Sequence, residues 1–142
     1  MLNRVTILLV EDNPDDEALT KLALRMGMPA NVEIARDGQE ALDYLLDDAN
    51  DLPRLVLLDL RLPSIDGLEV LRRIREHDRT CLTPVVILTS SSAPSDIAAG
   101  YRHGANSYVR KPVDFDQYAE LIRQIGSYWL VFNVPPSNIQ HQ

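Results

Sequence analysis

Short, mostly apolar segments alternate along the chain with longer segments in which apolar residues recur every three or four positions. A run of about four to eight apolar residues is typical of a strand buried on both faces of a sheet, whereas the wider spacing is typical of a helix with one inward face. On this pattern we predict five strands, each followed by a helix. The predicted strands cover residues 5–10, 32–35, 55–58, 85–88 and 107–110.

The spacing of these strands predicts their arrangement. Each gap between consecutive strands is long enough for a crossover helix, so the strands should run parallel. A closed eight-unit barrel needs about 250 residues, and this chain has 142. We therefore predict an α/β fold with an open, doubly wound five-stranded sheet in the flavodoxin-like order 2-1-3-4-5, a fold that binds ligands beyond the carboxyl ends of its strands.

The first helix has a clear start in the sequence. Asn13 can cap it, Pro14 suits the first helical position, and the acidic residues that follow favour the positive end of the helix dipole. Gly27 is expected to end it. The apolar spacing predicts an inward face made of Ala18, Leu19, Leu22, Ala23 and Met26.

Candidate chemistry lies just beyond the ends of four predicted strands, at Glu11, Asp12, Asp59, Thr89 and Lys111. These four strands are neighbours in the predicted order, so the five side chains should converge at one edge of the sheet. Three carboxylates in contact repel one another unless a cation joins them, and an all-oxygen site open to water suits magnesium. A carboxylate beside magnesium and a lysine can attack phosphorus to give an acyl phosphate, whose oxygens the lysine and the hydroxyl can bind.

Composition narrows the function classes. The chain has 14 basic and 21 acidic residues and a net charge of −7, which argues against nonspecific binding to nucleic acid or to an anionic membrane. Its single cysteine, Cys81, excludes an intramolecular disulfide and fits a reducing compartment. No apolar run approaches the roughly 20 residues of a membrane span. We therefore expect a cytoplasmic protein.

Several motifs together resemble the receiver domain of two-component response regulators, the CheY-like family, from residue 7 to residue 128. The motifs are Val10-Glu11-Asp12, residues 59–67, residues 85–90, residues 104–108 and Lys111-Pro112. The resemblance implies a CheY-like (βα)5 fold and a protein that catalyses only its own phosphorylation and dephosphorylation. It further implies that Asp59 accepts a phosphoryl group from a sensor histidine kinase.

The resemblance also implies roles for the other site residues. The expected magnesium ligands are Asp12, Asp59, the backbone carbonyl of Arg61 and, through water, Glu11. Lys111 is expected to pair with the phosphate, and Thr89 and Tyr108 to form a switch pair in which the Tyr108 ring turns inward behind Thr89. The bond between Lys111 and Pro112 is expected to be cis. A basic cluster at Arg72, Arg73 and Arg75 is interpreted as a solvated helix face rather than a phosphate-binding site.

The carboxyl-terminal segment carries an unusual number of aromatic and aliphatic residues. We expect a receiver domain at residues 1–127 and an extension of the last helix and tail at 128–142, with no output domain. The stripe formed by Ile122, Ile125, Trp129 and Phe132 predicts a homodimer surface, together with the fourth helix and the fifth strand. The alternative is that the extension folds back over the last helix. Three segments also resemble small single-domain regulators partnered with bacterial phytochromes, which implies a phytochrome as the kinase. They are residues 11–16, residues 105–108 and Tyr128-Trp129-Leu130 with the prolines that follow.

The same residues leave two alternatives to a phosphorylated receiver. A protein-binding module with a receiver fold that no longer switches is an alternative, although the complete set of acids, Thr89 and Lys111 argues against it. A phosphatase of the aspartyl-nucleophile type would carry a second aspartate two residues after the nucleophile. The chain has Arg61 at that position, which disfavours this class.

Overall fold

The computed structural model of the chain describes residues 5–27 and 29–136. The strands and helices in these ranges are β1 (Val5–Val10), α1 (Pro14–Gly27), β2 (Ala30–Ala35), α2 (Gly38–Leu45), β3 (Leu55–Leu58), α3 (Gly67–Glu76), β4 (Val85–Thr89), α4 (Pro94–Arg102), β5 (Ser107–Arg110) and α5 (Phe115–Ser127). A single π-helical turn, Tyr128–Phe132, continues α5. None of the helices in these ranges has both the length and the hydropathy needed to cross a bilayer.

The sheet confirms the predicted fold. All neighbouring strands are parallel, and their order is β2-β1-β3-β4-β5. Strand β2 begins two residues earlier than predicted, because it pairs with β1 along its whole length from Val5 opposite Ala30. The register places Val10 opposite Leu58 and Thr89 opposite Arg110, so the residues that follow these strands emerge at one edge.

Apolar side chains bury both faces of the sheet. One face packs Leu8, Val10 and Leu58 against α2 and α3, and the other packs Ile7, Leu9 and residues of α1 and α5. Every residue of β3 is inaccessible to solvent, as expected for a central strand of a doubly wound sheet. The edge that carries the candidate site is therefore built on a rigid base.

Helix α1 starts as predicted but buries a different face. The side chain of Asn13 accepts hydrogen bonds from the N–H groups of Asp15 and Asp16 at 2.9 and 3.0 Å. The buried residues are Thr20, Ala23 and Leu24, whereas Leu22 and Met26 are 54% and 72% exposed, and Ala18 is exposed too. The predicted inward face is therefore wrong for Ala18, Leu22 and Met26. Thr20 is turned inward instead, with its hydroxyl 3.0 Å from the Tyr118 hydroxyl of α5, and the hydropathy pattern does not reveal a polar contact of this kind.

Helix α5 corrects part of the predicted dimer surface. Its side chains Ile122 and Ile125 are 0% and 7% exposed, because they pack into the core that α1 and the sheet share. The prediction that these two residues form an intermolecular surface is therefore wrong.

The extension after α5 is divided between the core and the surface. Leu130 is buried, Trp129 packs partly against the same core, and the guanidinium of Arg54 donates to the Leu130 carbonyl at 3.4 Å. Phe132 remains 71% exposed. The extension thus folds back over the core through some residues while presenting others outward. Residues 137–142 of the predicted extension lie outside the described residues.

The basic cluster on α3 also differs from its interpretation. Arg72 and Arg73 pair with Glu69 on the solvent side, as expected for an exposed helix face. Arg75 is instead half-buried, and burial lowers the pKa of its guanidinium. Its N–H groups donate to three backbone carbonyls and one amide oxygen, those of Gly104 at 2.9 Å, Cys81 at 3.1 Å, Thr83 at 2.7 Å and Asn106 at 2.9 Å. Arg75 therefore joins α3 to the segments that precede β4 and β5.

Candidate functional site

Three carboxylates meet where β1 and β3 end. One oxygen each from Glu11, Asp12 and Asp59 lies within 4.8 Å of the other two. The backbone holds two of them in place, because the N–H of Asp59 donates to the Val10 carbonyl at 3.1 Å and that of Glu11 to the Ala35 carbonyl at 2.9 Å. Glu11 and Asp59 are buried, whereas Asp12 is exposed. The cluster therefore has one solvent-facing member through which a hydrated cation could enter.

The loop that carries Asp59 is packed tightly against the start of α3. A Cβ at position 67 would lie 2.4 Å from the Asp59 carbonyl oxygen and 2.6 Å from the Cα of Leu60, so only glycine fits there. The N–H of Gly67 donates to the Leu60 carbonyl at 2.9 Å, and the side chain of Asp66 caps α3 through the N–H of Glu69. The position of Asp59 is thus fixed from both sides.

Lys111 lies inside the acidic cluster. Its Nζ donates to Glu11 Oε1 at 2.6 Å, to Asp59 Oδ2 at 2.9 Å and to Asp16 Oδ2 at 2.9 Å. The backbone N–H of Lys111 donates to the Thr89 carbonyl at 2.7 Å, which anchors the loop after β5 to β4. The bond to Pro112 is trans, so the cis bond that the resemblance implied is wrong.

Asp16 is the member of the cluster that the sequence analysis missed. It was considered only for its charge near the start of α1. The signal available was its place in the first turn of α1, which begins two residues after Asp12. Its contact with Lys111 makes it part of the charge balance of the site.

The electrostatics of the site are dominated by negative charge. Burial raises the pKa of Glu11 to about 7, although the hydrogen bond from Lys111 and its charge act in the opposite direction. Burial alone would lower the pKa of Lys111, but its hydrogen bonds to Glu11, Asp16 and Asp59 raise it overall. One ammonium therefore faces Glu11, Asp16, Asp59 and the neighbouring Asp12, an excess of carboxylates that a divalent cation would offset.

Thr89 ends β4 with its hydroxyl buried. Among the residues that the structure describes, Thr89 Oγ1 has no hydrogen-bond partner although its atom is inaccessible to solvent. A buried hydroxyl without a partner carries a free-energy cost, so its retention calls for an explanation. A phosphoryl oxygen on Asp59 is the acceptor that the predicted chemistry would bring to this edge.

Tyr108 occupies the neighbouring strand. Its ring is partly buried against the α3-side core, and its hydroxyl donates to the Ser91 carbonyl at 2.9 Å, in the loop that follows Thr89. Burial raises the pKa of the Tyr108 hydroxyl. The Tyr108 side chain is therefore in contact with the segment that would move if Thr89 moved.

Arg61 contacts the site through its backbone. Its N–H donates to Asp59 Oδ1 at 3.1 Å, so the two carboxylate oxygens of Asp59 are held by different partners, Arg61 and Lys111. Its guanidinium points toward α4, 4.0 Å from Asp96 Oδ2. The role of its carbonyl as a metal ligand stays a prediction.

Comparison with known proteins identifies the class. Residues 7–123 match the family described as the response regulator receiver domain, so the chain belongs to this family. Receiver domains act in two-component signalling and partner with histidine kinases. The family assignment agrees with the parallel 2-1-3-4-5 sheet and with the acidic cluster at its edge.

Individual relatives cover nearly the whole chain. The probable methanogenesis regulatory protein FilR2 of Methanothrix harundinacea is 43% identical over 134 residues, which is 92% of this chain and 86% of that protein. The Mn(2+)-bound form of response regulator Rcp1 has a TM-score of 0.88 at 34% identity, covering 93% of this chain and 99% of that one. The phosphorylated cyanobacterial phytochrome response regulator RcpA has a TM-score of 0.89 at 37% identity, covering 94% and 99%.

Proposed function

We propose that this chain accepts a phosphoryl group from a sensor histidine kinase onto Asp59, in a magnesium-dependent reaction, and signals by a conformational switch. The observation that carries the proposal is the cluster of Glu11, Asp12 and Asp59 around Lys111, beside the buried, unpartnered hydroxyl of Thr89. The non-switching binding module is disfavoured by the complete set of acidic residues, Thr89 and Lys111 at this edge of the sheet.

The transfer requires one bond to form and one to break. An oxygen of Asp59 attacks the phosphorus of the kinase phosphohistidine, the new O–P bond forms, and the P–N bond breaks with its electron pair and a proton going to the histidine. The N–H of Arg61 orients the Asp59 carboxylate, and Lys111 is placed to pair with a phosphoryl oxygen. In the later hydrolysis, water attacks the phosphorus and the bond between phosphorus and the Asp59 oxygen breaks. Its electron pair returns to the Asp59 carboxylate, and inorganic phosphate and a proton are released.

The donor set fits magnesium. The ion, when bound, would neutralise the developing charge on the phosphoryl oxygens. Asp12, Asp59 and the Arg61 carbonyl would hold it directly, and Glu11 through water. The solvent-facing position of Asp12 suits an ion that keeps several of its waters, and Rcp1, a relative at 34% identity, was crystallised with Mn(2+).

The switch follows from the contacts of Thr89 and Tyr108. The Thr89 hydroxyl would donate to a phosphoryl oxygen, which draws the end of β4 toward Asp59. Because Tyr108 donates to the Ser91 carbonyl two residues further on, this movement would change the position of its ring.

Intact mass after incubation with a small phosphodonor and magnesium tests the transfer. Asp59→Asn keeps the shape of the side chain but removes the nucleophile, so the added phosphoryl mass should disappear, as it should in excess chelator. Asp66→Asn is the matched control, because this residue lies in the same loop and asparagine caps a helix as well as aspartate does. Labelling that persists in Asp59→Asn would show that the phosphoacceptor is misassigned.

We further propose that the kinase is a bacterial phytochrome. The support is the likeness to RcpA over 94% of this chain. Phosphotransfer from a purified phytochrome kinase should be faster than from an unrelated histidine kinase at equal concentration. Equal rates from the two donors would contradict this partner.

We also propose a homodimer that uses the exposed part of the extension, here called the tail patch. It consists of Tyr128, Val131 and Phe132, which are 51%, 52% and 71% exposed, together with the partly buried Trp129. A standard specific interface removes about 1,600 Å² in total from water. We therefore include the outer sides of β5 and α4, where Tyr101 is 51% exposed.

A further inference from the structure

The loop between β4 and α4 is held by one side chain on α4. Ser91 is 9% exposed, and its hydroxyl donates to Asp96 Oδ2 at 2.5 Å while accepting the N–H of Ala93 at 3.3 Å. The carbonyl of the same serine accepts the Tyr108 hydroxyl at 2.9 Å. Asp96 therefore holds the residue whose carbonyl accepts the hydrogen bond from the partly buried Tyr108 side chain.

Asp96 also faces the loop that carries Asp59. The guanidinium of Arg61 lies 4.0 Å from Asp96 Oδ2, and the N–H of the same arginine donates to Asp59 Oδ1 at 3.1 Å. Phosphorylation of Asp59 would add negative charge next to Arg61, and this charge would compete with Asp96 for the guanidinium.

The same helix leaves space for the Tyr108 ring. Gly100 lies one turn after Asp96, and a Cβ there would be 2.8 Å from Ile87 Cδ1 and 3.2 Å from Tyr108 Cδ2. The Tyr108 ring thus occupies a gap that any larger residue at position 100 would narrow. Helix α4 supplies both this gap and the side chain that holds the hydroxyl acceptor in place.

We infer that Asp96 is a positioning residue for Tyr108: through Ser91 it keeps the ring in its partly buried position, and through Arg61 it makes that position respond to the charge on Asp59. The first role belongs to the unphosphorylated protein. The second deepens the switch described under the proposed function and rests on phosphorylation of Asp59. Among the described residues, Asp96 is the only carboxylate that hydrogen-bonds to Ser91; the other side chain bonded to it is Tyr108 itself.

The two roles are separated by two substitutions at one position. Asp96→Ala removes both the acceptor for Ser91 and the charge facing Arg61, whereas Asp96→Asn keeps an acceptor and removes only the charge. Asp116→Ala is the matched control, because it removes an acidic residue from the first turn of α5 rather than of α4. The full chain contains five tyrosines, and the Tyr108 ring signal is assigned from its loss in Tyr108→Phe.

Carbon-13 tyrosine NMR with a soluble paramagnetic agent measures the exposure of the ring. In Asp96→Ala the ratio of buried to exposed ring should fall about tenfold, as expected for loss of a hydrogen bond to a charged group. In Asp96→Asn the exposure of the ring should match that of the parent, but the change in the ring's chemical shift on phosphorylation should be smaller. In Asp116→Ala both properties should match the parent.

Intact mass on the same samples separates this inference from the proposed function. If the parent takes no phosphoryl label, the proposed function fails, while ring exposure in unphosphorylated Asp96→Ala still decides the first role. Ring exposure in Asp96→Ala that matches the parent, or an equal change in Asp116→Ala, would overturn the inference. If Asp96→Ala does not fold, Ser91→Ala breaks the same hydrogen bond, and an unchanged ring there is equally decisive against it.

Discussion

Replacing Lys111 by methionine tests how the site is balanced. The side chains of Lys111, Glu11 and Asp59 are 8%, 2% and 10% exposed, so the ion pairs among them are buried and little screened. Removing one partner of a buried pair costs about 3–5 kcal/mol, because the remaining charge is left without compensation. We expect the free energy of unfolding of Lys111→Met, measured by urea denaturation in chelator at neutral pH, to fall by this amount.

The pH dependence gives the same prediction a second readout. Burial raises the pKa of Glu11 from 4.5 to about 7, so between these values the native state binds more protons than the unfolded state. This contribution makes stability fall as pH rises through that interval. Lys111 lowers the pKa of Glu11, so the native pKa of Glu11 should be higher in Lys111→Met. The pH range over which stability falls should then reach to higher pH than in the parent. The stability difference between Lys111→Met and the parent should therefore shrink as the pH is lowered toward 4.5.

The control is Lys21→Met, which removes the other lysine of the chain from α1. Magnesium should restore stability to Lys111→Met if the acidic cluster binds it, by about 2.7 kcal/mol at a concentration one hundred times the Kd. A loss in Lys111→Met no larger than in Lys21→Met, or a loss that grows on acidification, would refute this account of the site.

Two further predictions concern the switch and the dimer. Thr89→Ala should still take the phosphoryl label, yet lose the coupled change at Tyr108 and β5. Identical amide NMR spectra for the phosphorylated variant and the phosphorylated parent would contradict this coupling. Trp129→Ala combined with Phe132→Ala should raise the dimer Kd by about tenfold or more, because buried aromatic side chains tend to dominate interfaces. Sedimentation at micromolar concentration measures it, and a parent that is monomeric with and without phosphorylation would rule out the dimer.

The positions of the site residues could be predicted because they follow from strand ends. Parallel strands of a doubly wound sheet emerge at one edge, so Glu11, Asp59 and Lys111 could be brought together from the sequence alone. Their backbone anchors could not. The hydrogen bond from the N–H of Lys111 to the Thr89 carbonyl, for example, joins neighbouring strand ends and depends on register.

The errors in the predicted faces of α1 and α5 share a physical cause, which is that hydropathy describes single residues rather than contacts. Thr20 is buried on α1 because a hydroxyl of α5 satisfies it, whereas Leu22 on the same helix is left in solvent. Ile122 and Ile125 were assigned to an intermolecular surface because their spacing matches that of Trp129, but α1 and the sheet cover them within one chain. Spacing predicts that a stripe exists, and packing decides what covers it.

The contacts of Arg75 have a consequence for how the protein responds to its medium. Its partners are carbonyl and amide oxygens, which do not titrate, and its guanidinium stays protonated at any pH at which proteins fold. The exposed pairs of Arg72 and Arg73 with Glu69 are weakened by salt and lost when the carboxylate is protonated. The hydrogen bonds that connect α3 to the segments before β4 and β5 should therefore persist through acidification and high ionic strength. Under the same conditions the charged residues on the outer face of α3 should no longer attract one another.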